Sequence, residues 1–237
     1  MSEELISIII PTYNRFINVL QAIQSALHQT YKNIEVIVID DCSTQKEYRN
    51  VLESLFKNEP RVKIIHCLEN MRKVYNTTHA QGMTRNEGMK IAKGEYIAFL
   101  DDDDFWLPEK LEKQILILNK YGKEKYKLCS TNMIPGLGLV KSGTYEGKYF
   151  QTSPFKNKIE ENVYSYKLED IIDANYVANS SVIIHKSLIE LVGYQTTEKC
   201  EDWEYWKKIL HFTGGIYIDE ALVGYDMSHA GGKQYQY

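Results

Sequence analysis

Four consecutive aspartates, Asp101 to Asp104, follow directly on the apolar run Tyr96-Ile97-Ala98-Phe99-Leu100. Crowding that many carboxylates is unfavourable unless something positive faces them. Oxygen-only donors suit Mg²⁺ or Mn²⁺, and magnesium usually takes one or two protein carboxylates plus phosphates and water. Asp101 and Asp103 form a D-x-D pair, which points to a divalent cation and, behind it, a phosphorylated ligand. The same residues also suit a solvated acidic loop, with Asp104 capping a helix that starts near Pro108.

Further chemistry-bearing residues are dispersed along the chain. Asp40-Asp41 can accept hydrogen bonds from a ribose or a base N–H, or bond the backbone that follows them in a turn. Tyr13 offers a flat face to a base, or a packed ring. Arg85 has the planar fork that neutralises a diphosphate, or pairs with a nearby acid. Glu201-Asp202 stands just before Trp203 at the start of a helical stretch, where a carboxylate can accept a proton or cap the helix. A carboxylate at that position is expected to keep a low pKa. His229, in the tail, is a candidate third metal ligand or an exposed histidine without a role.

The elements that would carry these residues alternate. Ile6–Ile10 reads as a buried strand ending at Pro11, and 16–29 as a helix with Val19, Ile23, Ala26 and Leu27 on one stripe. Strands are expected at 34–39, 62–67 and 96–100, and helices at 46–57, 83–93 and 108–121. Beyond these, 136–166 reads as loops or short edge strands, 182–184 as a strand, and 186–192 and 202–212 as helices. The tail from Met227 has no clear element. This order predicts an α/β fold with a mostly parallel sheet, whose ligands bind beyond the carboxyl ends of the strands. Thr12-Tyr13-Asn14, Asp40-Asp41 and Asp101 to Asp104 all fall at such ends.

Bulk properties narrow the function. The 237 residues carry a net charge of -4, with no basic field for nucleic acid. The four cysteines are widely spaced, which disfavours a zinc site and fits a reducing compartment. The run Leu5–Ile10 is too short for a signal or membrane helix. A cytoplasmic protein is expected, with peripheral membrane association allowed.

Together these residues resemble glycosyltransferase family 2. The matching segments are Ser7 to Arg15, Gln29-Thr30-Tyr31, Glu35 to Ser43, Arg85 to Gly88, Ala92 to Asp104, Gly193-Tyr194 and Glu201-Asp202-Trp203. The resemblance implies a GT-A fold: a Rossmann-like central sheet flanked by helices, with a smaller acceptor-side region. It further implies a single domain over 1–237, with residues 1–115 binding a nucleotide-sugar and 116–237 facing the acceptor. The implied reaction is inverting, metal-dependent transfer from a nucleotide-diphosphate sugar, a UDP-sugar favoured, to a glycan, lipid-linked or other hydroxyl. Carried over by position, Pro11, Thr12, Tyr13, Arg15, Asp41, Arg85, Asp101 and Asp102 would hold the donor. Asp103, with His229, would hold Mn²⁺ or Mg²⁺, and Asp202 would be the general base. Two departures stand out: Met227 where the family often has an arginine two residues before the histidine, and a long stretch from Met71 to Gly82. The alternatives are a sugar-phosphate nucleotidyltransferase, disfavoured by Pro11-Thr12-Tyr13-Asn14 where a glycine-rich phosphate loop is expected, and a non-catalytic nucleotide- or glycan-binding module.

Overall fold

The computed structural model describes residues 4–122, 124–136 and 153–227. Strand β1 (Ile6–Thr12) is the centre of a parallel array with β2 (Ile34–Asp40), β3 (Val62–His66) and β4 (Tyr96–Phe99). Ile6, Ile8, Ile9 and Ile10 are fully buried, as are Val36, Ile37, Val38 and Ile39. Such unbroken β-branched runs belong to strands covered on both faces. Pro11 lies within β1 rather than ending it. The β1–β4 pairing has already ceased with Leu100 N–H bonded to Ile9 O at 3.1 Å, so the missing proline N–H breaks no ladder.

Helices α1 (Phe16–Leu27) and α2 (Lys46–Phe56) connect the first three strands. A single turn, α3 (Met71–Val74), and then α4 (Gln81–Ile91) fill the long stretch before β4. Helix α4 sits close on the sheet because Gly88 has no side chain: a Cβ there would lie 2.7 Å from Ile9 Cγ2.

The second half continues the same sheet. Short β5 (Phe105–Trp106) precedes α5 (Lys110–Tyr121), followed by β6 (Tyr126–Gly136), β7 (Asn157–Glu160) and β8 (Val163–Tyr166). Then come β9 (Ile183–His185), α6 (Ser187–Val192), α7 (Glu201–Leu210) and β10 (Gly214–Asp226). The strand order is β3-β2-β1-β4-β9-β6-β10-β8-β7, with β5 on β10. Strand β9 runs antiparallel to both β4 and β6, while β10 lies parallel to β6 and antiparallel to β8.

The edge strands expected within 136–166 are β7 and β8, and β6, β5 and β10 are additional to the sequence reading. In the aromatic-rich stretch from Tyr145 to Tyr176, Tyr166 stacks on Phe155 at 4.3 Å and Tyr176 meets the same ring edge-on at 6.2 Å, so both pack internally. Tyr145, Tyr149 and Phe150 lie outside the described residues. No helix among the described residues is long and apolar enough to cross a membrane.

Candidate active site

The carboxyl ends of β1, β2 and β4, the first turn of α7 and the end of β10 surround one cavity of about 300 Å³. Pro11, Thr12, Tyr13, Arg15, Asp41, Arg85, Asp101, Asp102, Asp103 and Asp202 all line it. Residues as far apart in sequence as Pro11 and Asp226 thus meet in one place. His229 lies outside the described residues.

The four aspartates occupy four different environments. Asp101 Oδ1 accepts from Arg85 Nη2 at 2.6 Å and from Asn179 Nδ2 at 2.9 Å, and its backbone N–H donates to Ser180 Oγ at 3.0 Å. Asp102 is buried, accepting from Thr12 Oγ1 at 2.8 Å and Arg15 Nη1 at 3.0 Å, and burial pushes its pKa up to about 7. Asp103 accepts from the same Arg15 Nη1 at 2.8 Å. Asp104 does not cap the following helix. It points inward, accepting from Ser180 Oγ at 2.5 Å and from the Asp226 N–H at 2.8 Å, while Glu109 precedes α5. Burial, then the neighbouring Asp103 and Asp101, raise its pKa well above the usual carboxylate range. The inward turn follows from β5, which pairs with β10 immediately after Asp104.

Asp41 closes another wall. Its Oδ1 accepts the Met71 N–H at 2.7 Å and its Oδ2 the Asn70 Nδ2 at 3.0 Å. The turn-forming role falls instead to Asp40, whose Oδ1 takes the Ser43 N–H at 3.0 Å. Asp41 therefore anchors α3, and through it the long stretch after β3 contributes Asn70 and Arg72 to the cavity. Burial, as the largest effect, raises Asp41 to about 6.

Asp202 stands on the first turn of α7, where its Oδ1 takes the Trp203 N–H at 2.8 Å. Its pKa is not low: burial, then the neighbouring Glu201, raise it to about 6. Helix-terminal stabilisation is a surface effect of about 0.3–1 kcal/mol, too small to offset desolvation beside a second carboxylate. Cys200, just before α7, holds a left-handed backbone at φ 58°, as does Cys42 at φ 62° just after Asp41. For a residue other than glycine this costs roughly 1–2 kcal/mol, and both instances adjoin the cavity.

Arg85 is buried, with Nη2 on Asp101 at 2.6 Å and Nη1 on Glu201 at 2.8 Å. Burial works against its charge, but Asp101 and Glu201 outweigh that and hold it protonated. As for a metal, no group of three or more His, Cys, Asp or Glu side chains among the described residues is placed to hold an ion alone. The donor set is instead oxygen-only, and Arg15 Nη1 spans Asp102 and Asp103, so this point already favours positive charge. One or two carboxylates completed by phosphate and water is the coordination habit of Mg²⁺ and its relatives. The residues fit such an ion.

The sequence model of Glycosyl transferase family 2 matches residues 7–130. The chain belongs to glycosyltransferase family 2. This family-2 chain is 32% identical over 207 residues to the Escherichia coli UDP-Glc:alpha-D-GlcNAc-diphosphoundecaprenol beta-1,3-glucosyltransferase WfaP, covering 87% of this chain and 70% of that protein. It is 36% identical over 144 residues to a second Escherichia coli enzyme of the same description, WfgD, covering 57% of this chain and 51% of that one. Among solved structures, Staphylococcus aureus TarS 1-349 superposes with a TM-score of 0.70 at 22% identity, covering 92% of this chain and 59% of that one. A Pyrobaculum calidifontis mannosyltransferase does so with a TM-score of 0.65 at 14% identity, covering 95% and 58%. These likenesses show the GT-A fold. The family-2 chain spans about half of WfgD and under two-thirds of the TarS fragment.

Several lining residues went unread in the sequence. Asn70, Arg72, Gln81, Thr84, Asn179 and Tyr225 carry no motif, and come to the cavity through α3, the start of α4, the turn at 179–181 and β10. Asp226 also lines the cavity, at the end of a strand the sequence pattern did not reveal.

Proposed function

We propose that this chain transfers a glycosyl unit from a UDP-sugar to a hydroxyl of a lipid-linked glycan, in one displacement that inverts the anomeric centre. The observation that carries this reading is the meeting, in one cavity, of a carboxylate cluster on β4 and a separate, partly buried carboxylate on α7. The relatives supply the substrate classes. WfaP is described as using UDP-Glc and a GlcNAc-diphosphoundecaprenol acceptor, TarS has been solved with UDP and with UDP-GlcNAc, and the mannosyltransferase with GDP-Man and Mn²⁺.

In this reading Tyr13, Pro11 and Thr12 frame the nucleoside, and Asp41 holds the wall beside it. Arg15 and Arg72 meet the diphosphate. Asp103, supported by Asp101 and Asp102, would hold Mn²⁺ or Mg²⁺. When bound, that ion offsets negative charge on the departing diphosphate, a contribution on the order of several kcal/mol. Asp202 accepts the proton of the attacking hydroxyl. Its pKa near 6 leaves it ionised at neutral pH yet basic enough to share a proton in the transition state. A single displacement needs one base and no carboxylate nucleophile, whereas double displacement needs both.

The test is Asp202→Asn, assayed as UDP release from UDP-glucose and as UDP binding in the presence of Mn²⁺. Turnover is expected to fall by about 100-fold or more, the usual scale of a lost general base, with UDP affinity unchanged. Retained turnover would remove Asp202 from the chemistry.

A further inference from the structure

The resemblance sets Arg85 against the donor diphosphate. Its surroundings suggest different work. Only 5% of its side chain is exposed, and both terminal nitrogens are committed, Nη2 to Asp101 at 2.6 Å and Nη1 to Glu201 at 2.8 Å. Nη1 also lies 3.4 Å from Gln195 Oε1. The two carboxylates belong to opposite ends of the proposed chemistry. Asp101 opens the aspartate block after β4, and Glu201 immediately precedes Asp202 on α7.

The rest of α4 is shaped for the same junction. Asn86 Nδ2 donates to Gln195 O at 2.9 Å, and the Gln195 N–H donates to Asn86 Oδ1 at 3.0 Å. One turn earlier, a Cβ on Gly82 would lie 2.9 Å from Glu201 Cγ and 3.0 Å from Gln195 Cβ. One face of α4 (Gly82, Arg85 and Asn86) thus seats Gln195 and Glu201. Without Arg85, two carboxylates would face each other across this seat with no cation between them, and their repulsion would drive the start of α7 away from β4.

We infer that Arg85 is a positioning residue: its guanidinium couples the aspartate block to Glu201, and through Glu201 sets where Asp202 stands relative to the bound donor. This rests on the reading of Asp202 as the base. The diphosphate then draws its cationic contacts from Arg15, Arg72 and the metal. The planar fork is needed because two carboxylates on different elements must be bridged at once, a geometry that a lysine ammonium does not reproduce.

The experiment compares Arg85→Lys, Glu201→Gln, the double variant and Asp202→Asn. Each is measured for UDP-glucose turnover at saturating donor, followed as UDP release, and for UDP affinity with Mn²⁺ by calorimetry. The expected result for Arg85→Lys is a kcat lowered about tenfold or more, the scale of a lost charged hydrogen bond, with the UDP Kd within about twofold of the parent. Glu201→Gln should lower kcat in the same selective way. The double variant should lose little more than the worse single one, because both act through one link.

A tenfold weaker UDP Kd for Arg85→Lys with kcat retained would make Arg85 a diphosphate ligand and overturn the inference. If Arg85→Lys fails to fold, Glu201→Gln decides: an unchanged kcat there overturns it equally. Asp202→Asn separates the two levels. Retained turnover in that variant defeats the base assignment, whereas an inactive Asp202→Asn beside fully active Arg85→Lys and Glu201→Gln defeats only the coupling.

Discussion

A general base performs best when its pKa approaches the working pH, and Asp202, the base we propose, is raised toward it by burial first and Glu201 second, to about 6. Below that value the carboxylate is protonated and accepts nothing, so kcat/KM should fall about tenfold per pH unit on the acid side. Asp41 and Asp102 titrate nearby, at about 6 and about 7, and an acid limb alone would not identify its owner. Glu201→Gln does. Removing that charge takes away an effect that raises Asp202, while neither of the other two carboxylates owes its main shift to Glu201. The limb should therefore move to lower pH in the variant. A pH–rate profile with an unmoved limb would assign it elsewhere. Most of the motif residues were legible because they stand at strand or helix ends marked by their neighbours. Their partners were not: nothing in the sequence announces that Asp104 turns toward Asp226, or that Arg85 meets Glu201, 116 positions away.

At the scale of elements, β1, β2, β3 and β4 could be read because buried parallel strands need unbroken apolar runs, and these segments have them. Strand β10 could not. It begins Gly214-Gly215, carries Asp219-Glu220 at its middle, and its pairing with β6 shifts register between Ile218 and Ala221 and again before Val223. Bulged strands lose the period-two signal. Lys110 is a comparable case. A lysine at a helix start reads as solvated, yet it is fully buried, with Nζ 2.8 Å from Gln114 Oε1 and 4.0 Å from the centre of the Trp106 ring. Burial lowers its pKa to about 7. Close approach of a helix to the sheet is the element-scale feature most open to test. At Gly88 an alanine Cβ would meet Ile9 Cγ2 at 2.7 Å and Ile9 Cγ1 at 3.3 Å. Ile9 is fully buried in the central strand and has little room to move. Overpacking typically costs about 1–3 kcal/mol, against a gain of about 1 kcal/mol in helix propensity. Gly88→Ala should accordingly lose up to roughly 2 kcal/mol, seen as a lower urea midpoint at constant slope. An unchanged midpoint would mean that α4 rides farther from β1 than this packing requires.

Over the whole molecule, the segment that matches the family model and the unit that folds have different extents. The match ends at residue 130, but β4 pairs on its outer side with β9, and β9 with β6. Both large apolar clusters draw on the two halves. Ile8, Ala98 and Leu111 share one with Ile183, Ile216 and Val223, while Ile9, Ile37 and Phe99 share the other with Ile184, Trp206 and Tyr217. The Phe99 and Trp206 rings lie 5.6 Å apart, centre to centre. We propose that the nucleotide-binding and acceptor-side halves implied by the resemblance are not separate folding units. Cutting the chain after residue 122 would open an unpaired edge along β4 and uncover Ile97 and Phe99, each fully buried in the intact protein. Exposing such side chains costs about 1.5–3 kcal/mol each, against a net stability of about 5–15 kcal/mol for a whole domain. Residues 1–122 alone should therefore bind a hydrophobic dye and melt without a sigmoidal transition, while the full chain unfolds in one cooperative step. Cooperative melting of the fragment, with UDP binding retained, would instead make the first half an independent nucleotide-binding unit to which the acceptor side was added.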